Sequence, residues 1–319
     1  MKCWMMQLKK PEFWDYKKPN LISWFLFPIS KMVEIYSSFF LNKKKNNFKI
    51  KTICIGNIYI GGTGKTSLAI TINEILKKNK FKTCFIKKFY FNQDDEQKIL
   101  KKNGRVFLEK KRFDSLKIAE KEKYQYAIFD DGLQDYSIDY DFKFVCFNTI
   151  NWIGNGMVIP AGPLRENIRN LKHYDYVFLN GNLENLDFIK KEIFSLNPKI
   201  QIMIGEYIPT NLNEFNLNEN YLAFSGIGNH QTFIAMLKSN KFKIVKHIEY
   251  PDHYKYSKND IQELLIISKK LNCKIITTEK DFLRLEQENI NEIKFIKTKL
   301  KIMDEKKLIK AILNLNEIH

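Results

Sequence analysis

The sequence predicts an α/β protein built on a parallel sheet, with a second, smaller α/β domain after it, and three observations carry that expectation. From Phe48 onward, short β-rich apolar runs alternate with helical periodicity, the pattern of successive βα units. The first run, KTICIG, leads into the glycine-rich stretch IYIGGTGKT, which opens a helix. A later run, YAIFDD, delivers two acids at the end of an apolar strand. Strands are expected near Lys51–Gly56, Thr83–Lys87, Tyr126–Phe129, Phe142–Phe147 and Tyr176–Leu179, with the first helix over Lys65–Lys78. Together they give a P-loop NTPase-like parallel sheet with helices on both faces over residues 46–204. The Asn-rich segment 205–220, GEYIPTNLNEFNLNEN, reads as a linker. A second series follows over 221–319: YLAFSG, a helix from about His230, FKIVKHIEY, a helix from about Ser257, KIITT and a helix from about Asp304.

Ahead of these lies the most aromatic part of the chain, PEFWDYKKPNLISWFLFPISKMVEIYSSFFL, residues 11–41. Its longest uncharged run, Pro19 to Ser30, is too short for the roughly 20 residues that span a bilayer, and Pro28 interrupts it. Trp14, Trp24 and the flanking lysines are anchors favoured at a membrane interface, so residues 1–45 are expected to form an amphipathic membrane-surface segment. The alternative is a helix packed on the protein's own core.

The 319 residues, 44% hydrophobic, are enough for two cores. A net charge of +17, from 53 basic against 36 acidic residues, points to an anionic partner or to lysine-rich usage without a functional face. With no RNP-like motif and no basic run longer than KKK at Lys43–Lys45, nucleic acid is not expected as a partner. The five cysteines contain no CxxC pair, which suits buried thiols in a reducing compartment and no structural zinc. Met1 to Lys10 lacks the apolar core of a cleavable signal.

In the glycine loop, Gly61, Gly62 and Gly64 let backbone amides turn toward an anion. Lys65 supplies a point charge for the β and γ phosphates, and the Thr66 hydroxyl can face Mg²⁺. Tyr59 stands where the strict pattern has its first glycine. A tight strand-to-helix turn would explain the glycines but not the Lys-Thr that follows. Asp130 and Asp131 end a buried strand, where one carboxylate could hold Mg²⁺ directly or through water; as a bare pair they also suit a polar loop start. In NQDDEQ, a carboxylate among Asp94, Asp95 and Glu96 could orient an acceptor hydroxyl, or the cluster is a solvated loop. GNGMVIPAGPLRE ends in Arg165 and Glu166, and the arginine fork suits phosphate. His253, in PDHY, lies between a strand and a helix and reads either as a surface residue or as a second catalytic group.

In this order PEFW, LFPIS, GNIYIGGTGKT, DDEQKIL, DDGLQD, GNGMVIPAGPLRE, FSGIGN, PDHY and TTEKD resemble the lipid A 4′-kinase (tetraacyldisaccharide 4′-kinase) family, from about residue 11 to about residue 282. GGTGKT together with DDGLQ, PAGPLRE and GIGN is far more restrictive than a phosphate loop alone. The resemblance implies transfer of the γ-phosphate of ATP to the 4′-hydroxyl of an acylated glucosamine disaccharide 1-phosphate. The work would be done at the anionic cytoplasmic face of the bacterial inner membrane, with no obligate protein partner. It implies ATP on Gly61, Gly62, Thr63, Gly64, Lys65 and Thr66, with Mg²⁺ near Thr66, Asp130, Asp131 and Glu166. Asp95 would be the base and His253 its orienting partner, with Asp94 as the alternative to Asp95; because Asp95 and His253 fall in different predicted domains, domain closure would assemble them. The family's loop lacks the leading glycine, which accommodates Tyr59. Two departures stand out. Asp135 replaces the histidine the family carries after DDGLQ, adding a third carboxylate, and KKFYFNQDDE replaces a glycine- and arginine-containing stretch. The rival is a P-loop switch or metallochaperone-type NTPase, which shares the loop and the Asp pair but needs no aromatic N-terminus.

Overall fold

The structure, a computed structural model, describes residues 10–40, 48–89, 94–181, 185–252, 254–285 and 290–313. It has two compact units, one comprising Glu12–Glu206 together with the chain from Ile302, the other built on Tyr207–Lys301. The first carries helix α1 (Leu21–Phe40), then β1 (Lys51–Gly56), α2 (Lys65–Lys78), β2 (Thr83–Lys88), α3 (Asp94–Asn103), β3 (Val106–Glu109) and α4 (Arg112–Lys121). It continues through β4 (Tyr126–Asp130), β5 (Phe142–Asn148), β6 (Tyr176–Asn180), α5 (Leu186–Leu196) and β7 (Gln201–Pro209). The second carries β8 (Asn220–Ser225), α6 (His230–Ser239), β9 (Lys243–Glu249), α7 (Lys258–Leu271), β10 (Lys274–Thr278), α8 (Glu279–Phe282) and β11 (Ile293–Ile296); β12 (Thr298–Ile302) and α9 (Glu305–Leu313) end the described chain.

The eight-stranded sheet runs β12-β7-β6-β5-β1-β4-β2-β3, with β1 to β7 joined by parallel pairings. Strands β4 and β6 are buried along their whole length, as β1 is after Lys51, because crossover helices cover both faces of a parallel sheet. That is why these strands read as unbroken apolar runs rather than alternations. Cys54, Cys84 and Cys146 are free thiols inside this core. The smaller sheet is also parallel, in the order β11-β10-β8-β9.

The sequence reading differs from the structure at the borders. Strand β7 runs through the start of the expected linker 205–220, and the chain from Ile302 belongs with the phosphate-loop unit instead of with 221–319. The cause is β12, which lies beside β7 in the large sheet; just past it the Met303 amide donates to the Ile204 carbonyl at 2.9 Å. β12 is the edge strand and β7 its neighbour, both with polar residues interleaved, so composition alone hid them.

Helix α1 is capped by Asn20, whose side chain accepts from the Ser23 amide at 2.9 Å. It is amphipathic in the reverse of the usual sense. Ser23 and Ser30 are buried, while Leu21, Phe25, Met32 and Tyr36 are exposed. The Ser30 hydroxyl donates to the Val158 carbonyl at 2.7 Å and accepts from the Ala161 amide at 3.0 Å; Asn155 donates to the Ser23 hydroxyl at 3.0 Å. The helix thus meets its own unit through these hydroxyls and through Val33, which packs on the Tyr59, Val158 and Leu164 cluster, and leaves most of its large apolar side chains open. Among the described residues no helix is long and apolar enough to cross a membrane.

Candidate active site

Strand β1 lies between β4 and β5, the point at which strand order reverses, and its carboxyl end opens the phosphate loop. The loop is tied down by asparagines. Buried Asn57 donates to the carbonyls of Tyr59 (2.5 Å) and Gly61 (3.2 Å), and Asn180, at the end of β6, donates to the Thr63 carbonyl at 2.6 Å. Gly64 takes a left-handed φ of 78° as the N-cap of α2 and offers no side-chain cap. The first-turn amides of α2 are therefore left for an anion. On the other side the loop is a β-bridge: Tyr59 pairs with Leu164, and the Ile60 amide donates to Pro163 at 2.9 Å. The family-like segment ending in Arg165 is thereby fixed against the phosphate loop.

Asp130 is fully buried at the end of β4, and the β1–β4 register places it opposite Ile55. One carboxylate oxygen accepts from the Thr66 hydroxyl at 3.3 Å and from Lys87 at 2.7 Å. The other, Oδ1, is buried without a hydrogen-bond partner among the described residues. A hydroxyl and a carboxylate, with one oxygen lacking a donor, form a hard oxygen donor set that fits Mg²⁺, which takes few protein ligands and completes its shell with phosphate and water. Among the described residues, no three His, Cys, Asp or Glu side chains cluster as a self-sufficient metal site.

Lys87, which sequence reasoning passed over, is the hub of this corner. It lies at the end of β2 with its side chain 3% exposed, between Asp130 and Glu96 (2.5 Å). Burial alone would lower its ammonium pKa, but the charges and hydrogen bonds of Asp130 and Glu96 prevail and push it well above the ordinary lysine value. Asp94 opens α3 and Asp95 follows in its first turn, so the Lys87–Glu96 pair anchors the helix that carries Asp95 to the Asp130 corner. The signal was a lysine pair closing an otherwise apolar strand. His253 lies outside the described residues.

Asp131 adopts a left-handed φ of 61° and turns its carboxylate to Arg165 (2.8 Å) and Lys65 (3.8 Å). Burial would raise its pKa, yet Lys65 and Arg165 outweigh that and hold it at about 2. Arg165 also donates to Gln134 at 3.0 Å, and Gln134 donates onward to Glu166 at 3.2 Å. Glu166, buried, further accepts from the Tyr174 hydroxyl (2.7 Å) and Asn170 (2.8 Å). The chain Lys65–Asp131–Arg165–Gln134–Glu166 thus joins four of the expected site residues through one glutamine. Asp135, the third carboxylate, faces Arg112 (3.5 Å) and accepts from the Ser137 hydroxyl (2.5 Å). Arg112 also donates to the Asp131 carbonyl, bracing that left-handed residue.

This corner can hold a polyphosphate on backbone amides, with Lys65 and Arg165 to neutralise it and Thr66 and Asp130 to seat a cation. A family profile described as Tetraacyldisaccharide-1-P 4'-kinase matches residues 22–103 and 92–317. A tetraacyldisaccharide 4'-kinase from Pelagibacter ubique is 59% identical over 312 residues, covering 98% of this chain and 99% of that one. One from Rickettsia typhi is 33% identical over 309 residues, covering 89% and 92%. The crystal structure of the "apo" form of LpxK from Aquifex aeolicus in complex with ATP superposes with a TM-score of 0.67 at 21% identity, over 92% of this chain and 99% of that one, so the fold is shared.

Proposed function

The chain belongs to the tetraacyldisaccharide-1-P 4′-kinase family, and from that premise we infer that it transfers the γ-phosphate of ATP to the 4′-hydroxyl of an acylated glucosamine disaccharide 1-phosphate in lipid A biosynthesis. The observation that carries the reading is the buried Asp130 carboxylate, which shares one oxygen between Thr66 and Lys87 and whose other oxygen has no hydrogen-bond partner among the described residues, beside an uncapped helix N-terminus.

ATP would lie on Gly61 to Thr66. Thr66 and Asp130 would hold Mg²⁺, with Asp131 and Glu166 completing its surroundings, and the ion would supply charge neutralisation along the phosphates. Lys65 and Arg165 bear on the transferred group, and in phosphoryl transfer such positioning outweighs proton removal. Asp95 is the proposed base and His253 its proposed orienting partner. The exposed apolar face of α1 supports docking at an anionic membrane surface, on the cytoplasmic side of the inner membrane, where an acylated acceptor resides.

The test is transfer of labelled γ-phosphate from ATP to a lipid A disaccharide monophosphate in detergent micelles. Lys65→Ala is expected to abolish turnover nearly completely, whereas Asp95→Ala loses roughly 10²–10⁴-fold and stays measurable. Hydrolysis of ATP with no label in lipid would favour a nucleotide switch instead, and equal small losses would refute the ranking.

A further inference from the structure

Two apolar strands of the phosphate-loop unit close on buried asparagines: β5 on Asn148, 2% exposed, and β6 on Asn180, 1% exposed. The parallel register sets the two residues opposite each other at the carboxyl ends of the strands, and the Thr149 amide donates to the Asn180 carbonyl at 2.7 Å. A buried side-chain amide costs free energy unless its polar atoms find partners, so the pair is tolerable here only through its hydrogen bonds.

Those hydrogen bonds form a relay with one direction. The Ile150 amide donates to Asn148 Oδ1 at 2.9 Å, Asn148 Nδ2 donates to Asn180 Oδ1 at 3.3 Å, and Asn180 Nδ2 donates to the Thr63 carbonyl at 2.6 Å. A backbone amide can only donate and a carbonyl only accept, so the groups at the two ends fix which way both side chains face. The turn after β6 closes on the same pair: at Gly181, with a φ of 115°, a Cβ would lie 2.9 Å from both Asn148 Oδ1 and the Thr149 hydroxyl oxygen. At the loop end, the Thr63 hydroxyl is buried with no hydrogen-bond partner among the described residues, so Thr63 is held by its carbonyl and not by its side chain. Gly62 and Gly64 flank Thr63 and give the loop little stiffness of its own. A loop ordered beforehand spares the incoming phosphates that ordering cost, and the difference shows as affinity.

We propose that Asn148 is a positioning residue for ATP: it orients the Asn180 amide, which holds the Thr63 carbonyl and so presets the phosphate loop before the nucleotide arrives. This rests on the reading that ATP lies on Gly61 to Thr66. Bound phosphates restore the loop through their own hydrogen bonds, so the loss in a variant falls on ATP affinity and not on kcat. The test measures the Kd of ATP by calorimetry, kcat at saturating ATP and urea unfolding for Asn180→Ala, Asn148→Ala, their double and Lys65→Ala. Asn180→Ala is expected to weaken ATP binding about tenfold and Asn148→Ala about threefold, each with kcat lowered no more than about twofold. The double should bind ATP as Asn180→Ala does, within about twofold, because Asn148 acts only through Asn180. Losses that multiply to about thirtyfold, or lowered stability with ATP affinity unchanged, would overturn the inference. Parental ATP binding by Lys65→Ala would remove the loop as the nucleotide site and the inference with it. Weak binding by Lys65→Ala beside parental binding by both asparagine variants would sink the inference alone. If Asn180→Ala fails to fold, Asn180→Ser and its double with Asn148→Ala carry the same comparison.

Discussion

The hydroxyl of Tyr59 donates to the carboxylate of Asp15 at 2.8 Å. Asp15 ends the short 3₁₀ turn Glu12–Asp15 ahead of α1, and the neighbouring Trp14 indole donates to the Pro160 carbonyl at 3.0 Å. The mouth of the phosphate loop, the turn before α1 and the segment leading to Arg165 are therefore hydrogen-bonded into one piece. Burial first, then the charge of Asp15, pushes the Tyr59 phenol well above its ordinary value, so it stays a donor throughout the working pH range. A glycine at this position, as in the strict loop pattern, could offer neither the hydroxyl nor the buried ring.

Stability should follow accordingly. Tyr59→Phe keeps the ring and loses the hydroxyl with its hydrogen bond to the Asp15 carboxylate, about 1 kcal/mol for that bond. Tyr59→Gly also empties a site that is 3% exposed, and the loss rises to about 3–5 kcal/mol. Urea unfolding of both variants reads this directly; a Tyr59→Gly protein as stable as the parent would show that the tyrosine has no structural part in the loop.

Lys87 gives a second prediction. Replacing it with methionine leaves Asp130 and Glu96 without their shared cation, and breaking a buried pair from one side typically costs about 3–5 kcal/mol. Lys87→Met/Asp130→Asn removes both charges of the tighter pair and should recover much of the stability without recovering phosphoryl transfer. If the double variant is no more stable than Lys87→Met, the cost lies in packing rather than in an orphaned charge.

Lys87 also shows where sequence reading stops. The apolar runs of β1 and β4 and the glycine loop were legible because each is a contiguous signal with a local physical cause. A lysine closing β2 reads as an ordinary soluble strand end. Only the parallel register, in which Ile86 faces Phe129, brings the next residue on each strand, Lys87 and Asp130, to the same corner. The inward contacts of α1 were hidden for a related reason. Its aromatic anchors pointed to an outward apolar face, but the hydroxyls of Ser23 and Ser30 find carbonyl, amide and asparagine partners that lie more than a hundred residues away.

That reversed helix makes the third prediction. Phe25→Asp or Met32→Asp alters a side chain that is 84% or 70% exposed, so folding stability and ATP affinity should be unchanged. Each large apolar group that enters the interface is worth about 1.5–3 kcal/mol, so sedimentation with phosphatidylglycerol-containing vesicles should weaken roughly tenfold or more. Ser30→Ala should behave oppositely, destabilising the fold with little effect on vesicle binding. Vesicle binding unaffected by both aspartates would dismiss the α1 face as the docking surface.

The last prediction concerns acid. In the folded protein the Asp131 carboxyl sits at about 2 against an ordinary 3.8; burial opposes this shift, and Lys65 and Arg165 produce it. A carboxyl with a depressed folded value is bound as the anion more tightly in the folded than in the unfolded chain. Its contribution is therefore complete above pH 3.8 and is lost as pH falls through about 2. The stability gap between the parent and Asp131→Asn should stay constant from neutral pH down to about 5, narrow below about 4 and close near 2. Lys65→Ala and Arg165→Ala should each shrink the gap at neutral pH and let it close at a higher pH, because each removes a charge that holds the folded carboxyl down. A gap that persists unchanged through this window would mean that Asp131 stabilises the site through its left-handed backbone and not through its charge.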